Sequence, residues 1–313
     1  MRNILVRHPL TPGPPRVQIQ TQAGCNGRCI FCPNEQVLKS DLEHGRMPLE
    51  MFHKIVDDLA KTPPRRIGMY MQNEPLLDKR LPELTKYVTD RIPDTKTQVI
   101  TNGTYLTEEK GEALLDAGLK QLKCSLQSLD PETNREIMGY DSRKVIENCI
   151  TFQKLIKKKK SKIDFRVSMV VTNKNVDEIP KTRKFWAKHG VRLVTSALEN
   201  RGGNISEAEK LNVGEMRSMG NCIRPSRDMM ILFNGDVPLC CVDWHRTEIL
   251  GNVYTQSVQE VWHGEAVGKV RVALAEEDTS RMPEICRDCS ESACPNAHRR
   301  GLRGIFSRLA AAF

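Results

Sequence analysis

Between residues 16 and 198 two kinds of hydrophobic pattern alternate along the chain. Short runs are apolar at every position or every second position, and longer runs are apolar at every third or fourth. The first reads as strand and the second as amphipathic helix. "RVQIQTQ" (16–22) is a strand, and "PLEMFHKIVDDLAKT" (48–62) is a helix. "RIGMYMQ" (66–72) and the segment around "RLPELTKYVTD" repeat the pair. "TQVITN" (97–102) precedes "TEEKGEALLDAG" (107–118), where Thr107 and Gly118 are the expected caps. "QLKCSLQ" (121–127) leads to "DPETNREIM", with Asp130 as N-cap and Pro131 in the first helical position. "KIDFRVSMVVT" (162–172) precedes "EIPKTRKFWAKHG", and "VRLVTSAL" (191–198) closes the series.

Six strand–helix alternations imply an α/β fold of parallel strands covered by helices. The count suits an open or partly closed (β/α)6 barrel better than the full eight-fold one. In such a fold, functional residues belong at the carboxyl ends of the strands. "CNGRCIFC", "QNEP", "TNGT" and "SLQS" all follow strands. After "ENRGGNISEAEK" (199–210) the rhythm changes. "MMILFNGDVPLCC" (229–241) reads as a β-hairpin around Asn234-Gly235. "SVQEVWHGEAVGKVRVAL" (257–274) reads as one helix, followed by a cysteine-bearing loop. The division expected is a barrel over 14–200, a smaller module over 201–298 and a basic tail over 299–313. No internal repeat or low-complexity segment is present.

Composition narrows the class. Hydrophobic content of 39% and charged content of 28% are ordinary for a soluble globular protein. No stretch approaches the ~20 apolar residues of a membrane span, and residues 1–15 lack the apolar segment of a signal peptide. The expected address is the cytoplasm. There, eleven cysteines argue against disulfides, and their grouping argues for metal. Cys124 and Cys149 stand alone among apolar residues and read as small buried thiols. The net charge of +9 gathers in "KLIKKKKSK" (154–162) and in "HRRGLRGIFSRLAAAF" (298–313). Both look like solvated helix ends or arms. With aromatics at 5% and no aromatic-rich basic stripe, a nucleic-acid partner is disfavoured.

Thiolates at Cys25, Cys29 and Cys32 suit a [4Fe-4S] cluster whose fourth iron lacks a protein ligand and stays open to a chelating molecule. The competing reading is zinc with an outside ligand. The C-x3-C-x2-C spacing on a strand-to-helix loop is unusual for zinc.

With these motifs the chain resembles the radical S-adenosylmethionine (SAM) enzymes over nearly its whole length. The resemblance implies that the open iron chelates the amino and carboxylate groups of SAM. One electron then splits the sulfonium bond and yields a 5′-deoxyadenosyl radical. "QNEP" stands where the family has "GGEP", so the resemblance makes Asn73 and Glu74 SAM contacts. "TNGT" and "SLQS" end the third and fourth strands as in the family. Asn102, Ser125, Gln127 and Arg166 become candidate SAM contacts in the same way. For Arg166 a surface salt bridge is the competing reading, and for "NEP" a plain turn.

The second module resembles the SPASM/twitch group, whose pattern encloses an auxiliary [4Fe-4S] cluster. The matching residues are Cys222, Cys240, Cys286 and Cys289, with Gly235 in place. Four cysteines equally satisfy a structural zinc. Cys241 and Cys294 are left over, so one auxiliary cluster is expected. Within the group, "CPN", "EPLL", "TNG", "NRGG" and "GNV" are shared with the 2-deoxy-scyllo-inosamine dehydrogenase-like enzymes. That match makes Arg201 a substrate-side residue. A guanidinium is a poor base, its pKa being above ~12, so orientation and anion stabilisation are its easier roles. Loop anchoring beside Gly202 and Gly203 is the competing one. Cys241 directly follows a presumed ligand, where a thiol can return hydrogen to a carbon radical. Asp243 is the alternative acid or base, or else a turn aspartate. Trp244 and His245 read as a core aromatic and a surface histidine.

The expected function is hydrogen abstraction from a C–H of a polar small molecule, of sugar or aminocyclitol type, giving oxidation or epimerisation. An electron donor such as flavodoxin or ferredoxin is the implied partner. Two alternatives remain: modification of a ribosomally made peptide, and a non-enzymatic zinc-bearing binding module. Only about fifteen residues precede the first strand, which counts against a leader-binding domain and so against the peptide reading.

Overall fold

The computed structural model describes residues 11–214, 222–287 and 289–290. Its centre is a parallel sheet of seven strands. These are β1 Arg16–Ile19, β2 Arg66–Gly68, β3 Lys96–Thr101, β4 Gln121–Ser125, β5 Asp164–Val170, β6 Arg192–Ser196 and β7 Asp228–Ile231. The order across the sheet is β6-β5-β4-β3-β2-β1-β7. The edge strands β6 and β7 are not paired with each other, so the barrel is partial and open.

The six predicted strands form in the predicted order, each followed by helix. Caps act where the sequence places them. The Thr107 side chain accepts from Lys110 N, and that of Asp130 from Thr133 N with Pro131 at the helix start. Gly118 takes the left-handed conformation that ends its helix, with φ +78°. Alternate residues of the strands face the helices. Val17, Ile19, Ile67, Val99, Leu122, Val167, Met169 and Leu193 share one core with Phe52, Leu59, Val88, Phe152 and Trp186 from the helices. Cys124 and Cys149 are buried in that core. The other face of the sheet looks into the partial barrel.

Two sequence readings are corrected. The expected hairpin over 229–241 does not form. Its first arm is β7, a seventh strand hydrogen-bonded parallel to β1 from Arg16↔Asp228 to Ile19↔Ile231. All four residues of β7 are buried, as suits a strand in a parallel sheet. The Asn234-Gly235 turn is present, with Gly235 at φ +82°. The strand after it, β8 Asp236–Pro238, pairs instead with β9 Ile249–Asn252. The single helix expected over 257–274 is two, Val258–Trp262 and Glu265–Ala275. Gly264 breaks them apart in an extended conformation, φ −63° and ψ 156°.

The basic run at 154–162 finishes the helix Arg143–Lys158, and Lys159 reaches Asp116 at 2.7 Å and Glu112 at 2.9 Å. Cys294 and the 299–313 tail lie outside the described residues. Among those residues no helix is long and apolar enough to cross a membrane.

If β7 is integral to the sheet, Ile231→Ala removes a fully buried side chain from the main core. We expect a loss of about 2–4 kcal/mol in denaturant unfolding. A loss under about 0.5 kcal/mol would mean that residues 228–231 sit on a peripheral hairpin.

Candidate cluster and substrate site

The cysteine loop leaves β1 and is held from both sides. Arg28 N donates to Met138 O at 2.9 Å and Ile30 N to Ile137 O at 2.9 Å, which ties the loop to the end of the helix Pro131–Met138. Glu74 N donates to Gly24 O at 2.9 Å, tying the other side to the loop after β2. Gly27 N donates to Cys25 Sγ at 3.3 Å. A Cβ on Gly27 would stand 3.6 Å from Cys25 Sγ and 3.7 Å from Cys29 Sγ, so the turn carries both thiols at its tip. Burial pushes the Cys25 thiol up to about 12 and raises those of Cys29 and Cys32, while Arg201 opposes the rise at the latter two. Such thiols keep their protons unless a metal takes the proton's place.

Glu74 is buried and its carboxylate is used inward. Oε1 accepts from Leu76 N at 3.0 Å and from Thr101 Oγ1 at 2.6 Å, and Oε2 accepts from Asn102 N at 2.7 Å. Burial raises its pKa, and these three hydrogen bonds work against the rise. Asn73 joins two loops, its Oδ1 accepting from Met71 N and its Nδ2 donating to Gln22 O at 2.8 Å. Asn102 Nδ2 donates to Asn26 Oδ1 at 2.8 Å and stands 3.9 Å from Cys25 Sγ. Asn73, Glu74 and Asn102 therefore converge on the cysteine loop.

The other expected SAM contacts lie along β4 and β5. Ser125 ends β4, opposite Ser168 in register. Gln127 Oε1 accepts from Val170 N at 2.7 Å and so fastens the ends of the two strands. Arg166 sits mid-strand in β5 and makes a two-pronged contact with Asp164, 2.7 Å for each nitrogen.

Four cysteines of the second module line one cavity. Cys222, Cys240, Cys286 and Cys289 meet there, with Arg224 on one wall and apolar side chains such as Leu239 and Leu274 around them. Burial lifts Cys286 to about 12, with Cys222 and Cys289 adding to it. The donor set, three buried thiols and the half-buried Cys222 in a largely apolar enclosure, fits an iron–sulfur cluster. Among the described residues no three His, Cys, Asp or Glu side chains converge on one ion position.

Cys241 directly follows Cys240 and packs against the apolar cluster around that second set. Its side chain packs on Met71, Met230 and Leu232. Burial raises its pKa, Arg224 and Arg201 lower it, and Glu199 and Asp228 add to the rise. The sequence reading missed two residues that frame it. Gln72, with φ +48°, donates from Nε2 to Cys241 O at 3.3 Å and to Asp243 O at 3.1 Å. Glu199 holds Arg224 Nη2 at 3.1 Å through both oxygens and stands 3.9 Å from Arg201 Nη1. Gln72 precedes "NEP" and Glu199 precedes "NRGG", so position beside a motif was the available signal. Arg201 itself has φ +55°, and its carbonyl accepts from Asn204 Nδ2 at 2.6 Å.

Asp243 takes the turn role. Its carboxylate is fully buried and accepts from Thr247 N, Thr247 Oγ1 and Glu248 N at 2.9, 3.0 and 3.1 Å. Trp244 is buried and His245 exposed.

Residues 19–185 match the radical SAM superfamily, and residues 222–290 match the SPASM iron–sulfur cluster-binding domain. A similar protein is the S-adenosyl-L-methionine-dependent 2-deoxy-scyllo-inosamine dehydrogenase of Niallia circulans. It is 22% identical over 282 residues, which cover 88% of this chain and 92% of that enzyme. Among solved structures, BtrN in complex with AdoMet and 2-DOIA aligns with a TM-score of 0.60 at 20% identity, covering 88% of this chain and 92% of that one. Streptococcus suis SuiB bound to the precursor peptide SuiA aligns with a TM-score of 0.69 at 16% identity, covering 91% and 72%.

Glu74→Ala leaves three donors without their acceptor. We expect a loss of roughly 3 kcal/mol or more, with iron lost from the Cys25 loop before the four-cysteine cavity. Unfolding curves and iron counts on the reconstituted variant check this; unchanged stability with full iron would contradict it.

Proposed function

This chain belongs to the radical SAM superfamily, and from that premise we propose that it abstracts hydrogen from a C–H of a polar small molecule and inverts that carbon, with Cys241 as hydrogen donor. The substrate type is a sugar or aminocyclitol. Cys25, Cys29 and Cys32 would hold the SAM-binding [4Fe-4S] cluster, and Cys222, Cys240, Cys286 and Cys289 an auxiliary one. When bound, the first cluster and SAM supply the 5′-deoxyadenosyl radical that removes the hydrogen. Asn73, Asn102 and Ser125 are the SAM contacts of this reading. Glu74 and Gln127 serve by fixing the strand ends that carry them. Arg166 does not enter it, being engaged with Asp164.

The observation that carries the reading is the setting of Cys241. Its thiol is in an apolar nest beside Arg201, and burial favours the protonated S–H form, which is the form that donates a hydrogen atom. Asp243, the rival acid, is committed to its turn. After abstraction the substrate carbon holds an unpaired electron. Cys241 Sγ–H gives its hydrogen atom to the opposite face, which closes the inverted C–H bond and leaves a sulfur radical. One electron from a flavodoxin- or ferredoxin-type donor and one proton from water restore the thiol. Arg201 orients the hydroxylated substrate and stabilises negative charge on it.

A second reading is oxidation, in which the carbon radical loses a proton and an electron to give a ketone. The similarity to a dehydrogenase and the four-cysteine cavity next to Cys241 support it. The likeness to SuiB is one of fold, and nothing else favours a peptide substrate. Superfamily membership leaves no support for a non-enzymatic zinc module.

Turnover in deuterated water separates the two. The account expects one deuterium at the inverted carbon of the product. It also expects Cys241→Ala to lose epimer formation while still forming 5′-deoxyadenosine. A two-electron-oxidised product from the wild type, with no deuterium in recovered substrate, would overturn the thiol donor.

A further inference from the structure

The inner face of the sheet carries charge that the chemistry above does not use. Strand alternation puts Arg16, Arg66, Lys96, Lys123, Arg166 and Arg192 on that face, because neighbours such as Val17, Ile67, Leu122, Val167 and Leu193 point to the helices. Register lines the cations up. Arg66 stands opposite both Arg16 and Lys96, and Arg166 opposite both Lys123 and Arg192. Like charges directly opposite each other on adjacent strands are destabilising. Two carboxylates of that face answer them. Asp228 takes Arg16 at 3.2 Å and Arg227 at 2.7 Å, and Asp164 takes Arg166 at 2.7 Å and Lys96 at 3.2 Å. Arg66 and Lys123 make no ion pair with the described residues.

Lys123 is half-buried, and burial lowers its pKa, with Arg166 and Arg66 pushing the same way. Asp164 opposes that shift without outweighing it, and it is already engaged with Arg166 and Lys96. The cationic patch is also continuous with the site. Tyr70 is within electrostatic reach of Arg16 and Arg66 and also of Cys241 and Asp228. Its hydroxyl donates to Gln98 Oε1 at 3.0 Å, and Gln98 Nε2 donates to Gln121 Oε1 at 2.6 Å. This chain of buried glutamines continues from Gln121 Nε2 to Asp164, the partner of Arg166, which stands opposite Lys123 in register.

We propose that the inner face of the sheet binds an acidic group of the substrate, phosphate or carboxylate, with Arg66 and Lys123 as its contacts. The substrate is then an acid-bearing sugar. A free aminocyclitol, with its protonated amine, meets like charge there. The inference rests on the reading that the reacting C–H lies beside Cys241, and it narrows the substrate class of that site.

The test is binding, on anaerobically reconstituted full-length protein. Inorganic phosphate should raise the thermal midpoint where chloride at equal ionic strength does not. By titration calorimetry, glucose 6-phosphate or glucuronate should bind at least tenfold tighter than glucose, and glucosamine no tighter than glucose. Whichever of the two acids binds tighter identifies the acidic group. Arg66→Gln and Lys123→Gln should each weaken that binding about tenfold. Each should also raise the midpoint of the ligand-free protein by about 2 °C, because repulsion is relieved. Lys123→Met should do the same. A purely structural role for these cations predicts the reverse shift in midpoint. Equal binding of glucose and both acids, or variants that bind phosphate like the wild type, would overturn the inference. Iron content and SAM-dependent 5′-deoxyadenosine formation are read on the same wild-type samples. If both persist while anion binding is absent, this inference alone fails; if they are lost, the underlying reading fails.

Discussion

One buried carboxylate holds the working end of the sheet together. Glu74 gathers Leu76 N, Thr101 Oγ1 and Asn102 N onto its two oxygens, and its own amide reaches Gly24 in the cysteine loop. Through this group the ends of β1, β2 and β3 become a single unit. A buried carboxylate without such donors would be strongly penalised, so the loops and the acid fix one another. Everything chemical in the chain is hung on that unit. The Cys25 loop lies on one side of it, and Gln72 carries it across to Cys241 and Asp243 on the other.

The parallel sheet supplies the second constraint. With helices on one face only, alternation along each strand separates an apolar outer set from a polar inner set. The outer set stabilises the fold. The inner set carries the opposed cations and the Tyr70–Gln98–Gln121 chain, whose two glutamines are buried. Strand β7 closes the flank of β1 and brings the second module into the same sheet, so that the segment leading to Cys240 and Cys241 runs directly from the core.

Much of this is legible in the sequence, because the signals are local. Period, caps and turn residues fix the first six strands and their helices, and the C-x3-C-x2-C spacing points to the cluster loop without any fold at all. What the sequence hides is non-local. Residues 229–241 carry an apolar run and an Asn-Gly turn, which together spell a hairpin. Only the edge of β1, more than two hundred residues earlier, makes the run a parallel strand. Glu199, Gln72 and the opposed cations have no motif of their own, since their meaning comes from register and from loops meeting across the sheet. Asp243 shows the converse: a residue that stands in a suggestive place and spends its carboxylate on its own turn.

The central claim is that two separate sets of cysteines hold two iron–sulfur clusters with different roles. Iron and sulfide counts with electron paramagnetic resonance, on anaerobically reconstituted wild type and a Cys25/Cys29/Cys32→Ala variant, test it most directly. The account predicts two four-iron clusters in the wild type, one of which changes its spectrum with SAM. The variant should keep one cluster, indifferent to SAM, in the cavity of Cys222, Cys240, Cys286 and Cys289. Loss of all iron from the variant, or zinc in place of iron in the wild type, would contradict it.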